Sequence, residues 1–375
     1  MQFVLTDEQV LIQDTARSFF TEHATSAAVR RTVEDEAGYD SALWRTLAVE
    51  MGFAGIAVPS RYGGSGLGQV EQSILMMEMG RRLHPSPYLS SICMAAQAIL
   101  AAGTEEQKAR HLPSLASGGT IAALAHMGAS GASGSSAVLS PGSDGFHLSG
   151  TAGFVPFGHV ADLFVVAAHG PGEGISLILV DRGMPGLVVE RHASLDRTRP
   201  LSTLRFDDIA IEEALLLDTP GVAAAALSRT LDLARVSVAA EQAGGAEAVL
   251  DMTVAYSKDR IQFGRPIGSF QALKHRMADM MVEVETAKTA AWYAASTADE
   301  GGDLAEAAAV AKAYCSDAYS SCAGHAIQLH GGIGFTWEHD AHLYFKRARA
   351  TSALLGSPSE LRESLACRLG LGESL

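Results

Sequence analysis

From about Val222 onward the chain is written in long alanine-rich apolar stripes with few breakers, the longest running from Ala305 to Leu329. Alanine loses no side-chain entropy on entering a helix, so repeated stripes of this kind predict a bundle of long helices. Upstream the text changes. Between roughly Thr120 and Gly221, short runs rich in branched residues (Leu163 to Ala167, Ile175 to Val180, Leu187 to Val189) are separated by glycine and proline turns, the pattern of β-strands. Earlier still, from Thr6 to about Gly118, the pattern is helical. Thr6 with Gln9 and Thr104 with Gln107 read as capping boxes, and Leu43, Trp44, Leu47 and Met51 recur at helical spacing. The expected organisation is therefore α+β in three segments: a helical domain at 1–119, a β domain at 120–221 and a helical bundle at 222–375. SGASGSS, from Ser130 to Ser136, reads as a flexible loop inside the β segment.

A chain of 375 residues is ample for a large core. Its 47% apolar and 19% charged residues exclude general disorder, and no uncharged apolar run approaches the ~20 residues of a membrane span. The start, MQFVLTDEQVLIQ, has neither a basic flank nor a small-residue cleavage site, so a cytoplasmic location is expected. Cys93, Cys315, Cys322 and Cys367 form no C-x-x-C pair and read as reduced packing residues. A net charge of -14 opposes nucleic-acid binding, and any anionic ligand has to be met by locally placed arginines.

Four segments stand out: VPSRYGGSGLG (Val58 to Gly68), GTEEQKARHLPSLASGG (Gly103 to Gly119), YSKDRIQFGRPIGSFQ (Tyr256 to Gln271) and QLHGGIGFTWEHD (Gln328 to Asp340). In the third, Arg260 offers a fixed, always-charged guanidinium suited to a diphosphate. In the fourth, Gly331 and Gly332 have no side chains to keep a ligand from the backbone amides; a simple glycine cap after the Ala305 to Leu329 helix is the compatible structural alternative. Together the four segments resemble the motifs of the acyl-CoA dehydrogenase family, and the helical, β, helical order matches that family across essentially the whole chain. The resemblance implies that family's fold, with an N-terminal helical domain, a middle β-barrel-like domain and a C-terminal four-helix bundle.

It also implies FAD as cofactor. In the family, the positions of Arg260, Phe263 and Gly264, then Gln271, and then Gln328, Gly331 and Gly332 hold the ADP half of a neighbouring subunit's FAD. Asp232 and Arg235 match a D-x-x-R pair directed at the pantetheine side of an acyl-CoA; a surface ion pair one helical turn apart is the equally simple alternative. The family's catalytic glutamate is missing at both of its usual places, which read Leu355 and Ala234 here, and neither side chain can take a proton. The strings that normally hydrogen-bond the flavin ring read Ala125, His126 and Met127, and Phe154, Val155 and Pro156; alanine removes a hydroxyl and proline an amide donor.

This combination resembles the non-catalytic subunit of heteromeric acyl-CoA dehydrogenases of bacterial sterol and bile-acid side-chain degradation, built from two copies each of two related chains (α2β2). It implies a homologous catalytic partner, a bulky acyl-CoA substrate and an electron-transfer flavoprotein as acceptor. Two alternatives stay open: a self-sufficient homotetramer that uses Glu241 or His126, and a non-enzymatic acyl-CoA-binding protein. Glu241 also reads as a carboxylate satisfied inside the bundle and His126 as an ordinary buried histidine. His325, His330, His339 and His342 lie close together, but two of them fall inside a motif that binds no metal in the family.

Overall fold

The computed structural model describes residues 4–128, 134–142, 145–170 and 174–371. Both threonine boxes form: each hydroxyl accepts from the backbone of the third helical residue, whose glutamine side chain returns to the threonine amide. They open α1 (Asp7–His23) and, after α2 (Ser26–Glu34), α3 (Ser41–Arg45), α4 (Gln69–Arg81) and α5 (Gln97–Ala102), they open α6 (Glu105–Ala116). The Leu43 to Met51 pattern is helical as expected, but α3 passes into a wider π turn at Thr46–Glu50. A second π segment, Leu89–Ala96, is buried throughout.

The branched runs become strands: β1 (Ala122–Ala125), β2 (Val138–Gly142), β3 (Gly145–Pro156), β4 (Leu163–His169), β5 (Ile175–Asp181), β6 (Leu187–Arg191) and β7 (Leu201–Ile211). They form one sheet in the order β1-β4-β2-β3-β7-β6, with β5 also paired to β4. β1 runs parallel to β4, whereas β3, β7 and β6 form an antiparallel ribbon in which β3 carries two register shifts. Most of the loop expected at Ser130 to Ser136 lies outside the described residues.

The alanine stripes form α7 (Ala224–Asp259), α8 (Gln271–Glu300), α9 (Leu304–His330), α10 (Ala341–Ala353) and α11 (Pro358–Arg368). A helical N-terminal part, a central sheet and a helical C-terminal part follow one another along the chain, the order expected from the sequence. No helix among the described residues is long and apolar enough to cross a membrane. The four cysteines are free thiols, three of them buried.

Two units divide the chain. One gathers α3, α5, α6, the sheet and the start of α7; the other gathers α1, α4, α7 from Arg235 onward, and α8 to α11. In the second unit, α4 crosses α7 at backbone contact. A Cβ on Gly80 would lie 2.0 Å from the Glu241 carbonyl oxygen, and one on Gly244 would lie 2.0 Å from that of Met77. Asp299, near the end of α8, accepts from the Gln69 and Val70 amides and so caps α4 from a distance. Val249, Met280, Val284, Tyr319, Cys322 and Ala326 pack together between α7, α8 and α9. That cluster fixes the ends of these helices, where the motif residues lie.

Candidate functional site

α7 ends one residue before Arg260, and the chain then turns through a two-residue hairpin, β8 (Ile261–Gln262) with β9 (Arg265–Pro266). Its tip residues, Phe263 (φ 52°) and Gly264 (φ 76°), are both left-handed, as the tightest hairpin turns require. This conformation is costly for phenylalanine, and it leaves the side chain 91% exposed, with one edge-on contact to Phe270 at 6.0 Å. The hairpin is tied back to α7 by the Ile267 amide, which donates to the Arg260 carbonyl at 2.8 Å. α8 starts immediately afterwards at Gln271, with no side chain capping its first turn.

The second motif begins at the other end of the same cleft. α9 closes on Gly331, whose amide donates to the Gln328 carbonyl and whose φ of 64° and ψ of -145° suit glycine alone. A Cβ on Gly331 or Gly332 would meet nothing within 4 Å, so this chain's own packing does not demand the second glycine. The loop that follows is held firmly. Arg30 donates to Asp340 at 2.5 Å and to the Trp337 carbonyl at 2.6 Å. Tyr256 stacks on His330 at 4.4 Å, and His330 lies 4.4 Å from His339. His330 Nδ1–H donates to the Ala326 carbonyl, whereas His339 Nδ1 accepts from the Ala341 amide, which makes His339 neutral in this arrangement. Burial pulls His330 and His339 below the ordinary histidine range, and His342 down to about 4.

Between the motifs lies a cavity of about 660 Å³ lined by Tyr256, Arg260, Phe263, Gln328, Gly331 and Gly332, with Arg276 of α8 on its wall. Gln271 stands beside it, between the lining residues Phe270 and Ala272. Among the described residues, the side chains of Arg260, Gln271 and Gln328 make no hydrogen bond or ion pair within the chain. Their donors, the uncapped start of α8 and the open glycine backbone are available to an external anion, and a nucleotide diphosphate fits this donor set. Phe335 (78% exposed) and Trp337 (60%) stand on the same loop. The sequence reading missed Arg276; its position on α8, five residues after Gln271, was the available signal.

The two positions at which the resemblance implies a catalytic glutamate hold side chains with no acid–base function. Leu355 is buried, with a left-handed φ of 62°, and its carbonyl accepts from Arg235 Nε at 3.0 Å. Beside it, Lys312 Nζ is fully buried and donates to Ser316 Oγ and to the Ser352 and Gly356 carbonyls. Burial, reinforced by Arg235, pulls this ammonium down to about 8. Arg235 and Lys312 therefore pin this turn, where the resemblance implies a carboxylate. Ala234 and Asp232 are buried on α7. Glu241 is no free base: it accepts from Arg347 Nη1 at 2.5 Å, and both side chains are at most 4% exposed.

In the other unit, the positions that the resemblance assigns to the flavin ring supply few donors. Ala125 is buried at the end of β1, and the Gly153 amide is spent on the Met127 carbonyl at 2.8 Å. Phe154 takes a left-handed φ of 52° at a register shift of β3, and Pro156 has no N–H. His126 is buried. These residues do not fit the donor set that a flavin ring requires, whereas those around the first cavity do fit a nucleotide diphosphate.

Family models described as acyl-CoA dehydrogenase N-terminal domain and C-terminal domain match residues 6–119 and 223–370. The chain is 38% identical over 359 residues to acyl-CoA dehydrogenase IpdE2 of Mycobacterium tuberculosis, covering 96% of both proteins. Among solved structures it superposes on a chain of the ChsE4-ChsE5 complex from Mycobacterium tuberculosis (TM-score 0.92, 28% identity, 100% of both chains). It also superposes on a chain of a variant of the Tcur3481-Tcur3483 steroid ACAD (TM-score 0.87, 35% identity, 97% of this chain and 98% of the other).

Proposed function

The chain belongs to the acyl-CoA dehydrogenase family, and from that premise we propose that it is the non-catalytic subunit of a heteromeric, FAD-dependent acyl-CoA dehydrogenase. One contrast carries this reading: an unspent nucleotide clamp around Arg260, in a chain whose base positions are filled by Leu355 and Ala234. Arg260 neutralises the diphosphate, Gln271 and Gln328 donate to the nucleotide, Phe263 covers it, and Gly331 and Gly332 let the backbone approach. A homologous partner provides the flavin-ring pocket and the carboxylate that removes the α-proton of the thioester. FAD supplies the acceptor for the β-hydride. An electron-transfer flavoprotein then receives the electrons, and an α2β2 assembly accommodates two such shared sites.

The likeness to a chain of a steroid ACAD and to a two-component complex favours a bulky, steroid side-chain acyl-CoA as substrate. Asp232 and Arg235 mark a vestigial pantetheine channel, because Arg235 is already committed to the Leu355 carbonyl. The same geometry weakens the self-sufficient alternative, since its best base, Glu241, is locked to Arg347. The test is co-purification from the native host with a visible spectrum and a subunit count. One FAD for every pair of chains is expected, together with a colourless chain when it is expressed alone. One tightly bound FAD per chain in a homo-oligomer refutes the proposal.

A further inference from the structure

We infer that Arg276 is a second phosphate-reading residue of the Arg260 cavity, positioned by His325, and that it makes the cavity select a diphosphate over a monophosphate. The inference rests on the nucleotide-clamp reading above and adds a specificity determinant to it. Arg276 lies on α8, and helical side chains lean toward the N-terminus of their own helix, over the residues three and four positions earlier. For Arg276 these are Leu273 and Ala272, and both line the cavity together with Arg276 itself. The small side chain of Ala272 leaves that path open.

The guanidinium is aimed by a specific contact, Arg276 Nη1 to His325 Nδ1 at 3.0 Å. Arginine only donates, so Nδ1 accepts and the ring carries its proton on Nε2. His325 sits one helical turn before Gln328 on α9, which ties Arg276 to the helix face that already contributes to the cavity. One N–H of the five on the guanidinium is used in this way, and Arg276 makes no ion pair among the described residues. Arg260 enters from the hairpin and Arg276 from the second turn of α8, so two cations from different elements reach one cavity. A single phosphate satisfies one forked donor, whereas two linked phosphates engage both.

The experiment uses the two-subunit complex freed of its FAD, with ADP and AMP as probes in calorimetric titrations. The unsubstituted complex is expected to bind ADP more tightly than AMP. Arg276→Gln should weaken ADP by about tenfold or more while AMP changes by less than about threefold, and the melting temperature should not move. His325→Leu should reproduce part of the ADP loss. His325→Asn, whose amide oxygen replaces the Nδ1 acceptor, should restore it, a rescue that a purely structural role for the ring would not give. Equal losses for ADP and AMP, or no loss in Arg276→Gln while ADP still binds, overturn the role of Arg276 alone. Failure of the unsubstituted complex to bind ADP overturns the clamp reading as well.

Discussion

Removing the Arg260 guanidinium separates cofactor retention from chemistry. Arg260 is exposed and its side chain makes no hydrogen bond or ion pair within the chain among the described residues, so Arg260→Ala leaves no orphaned partner behind. Its effect on folding should stay within about 0.5 kcal/mol, the usual range for a surface substitution away from caps and networks. Its effect on the cofactor should be larger. A charge-assisted hydrogen bond contributes about 1.5 to 3 kcal/mol, which is roughly tenfold to 150-fold in affinity. The assay is flavin release from the purified two-subunit complex on dilution, followed by fluorescence, with thermal melting and turnover measured on the same samples. Flavin should wash out of the variant faster, and added FAD should largely restore the rate, because the partner's base and ring contacts are untouched. Unchanged FAD affinity refutes the clamp, as does lost turnover that excess FAD cannot rescue in a complex that melts normally.

The buried pair of Glu241 and Arg347 gives a stability prediction. Arg347→Leu strands a buried carboxylate and should cost about 3 to 5 kcal/mol, whereas replacing both partners with apolar residues should recover most of it; denaturant titration of the two variants decides the point, and a fully stable Arg347→Leu would mean that Glu241 is free after all. Acid should also weaken the start of α10, where His342 lies. His342 titrates near 4 because burial disfavours its charged form, and the unfolded side chain titrates at the ordinary value, so the unfolded state binds more protons as pH falls below about 6.5. This group therefore lowers stability progressively between those two values, by at most about 2 kcal/mol at pH 5 before solvent screening, and His342→Phe should remove that part of the acid slope. Urea midpoints for both proteins at pH 7.5 and pH 5 test it: an equal acid loss in both would show that His342 contributes nothing.

Much of this protein was fixed by local chemistry and could be read without coordinates. Hydroxyl caps at Thr6 and Thr104 depend on residues three positions away, strand runs on side-chain branching, and the Ala305 to Leu329 helix on the low entropy cost of alanine; all three formed where the local pattern put them. The motif residues Arg260, Phe263, Gln328, Gly331 and Gly332 were likewise visible as residue types at set spacings, and so was the absence of a carboxylate at Leu355. What the sequence withheld depends on partners far apart in the chain. Nothing near Glu241 announces Arg347, which is 106 residues away, and nothing near Lys312 announces that two of its acceptors are carbonyls 40 and 44 residues further on. Arg276 looks like any exposed helical arginine until α9 brings His325 beside it. Periodicity reports which face of a helix is buried, but which polar groups meet on that face is set by how the helices cross, here by the backbone contact of α4 with α7 at Gly80 and Gly244. That crossing is decided only when the whole helical unit packs.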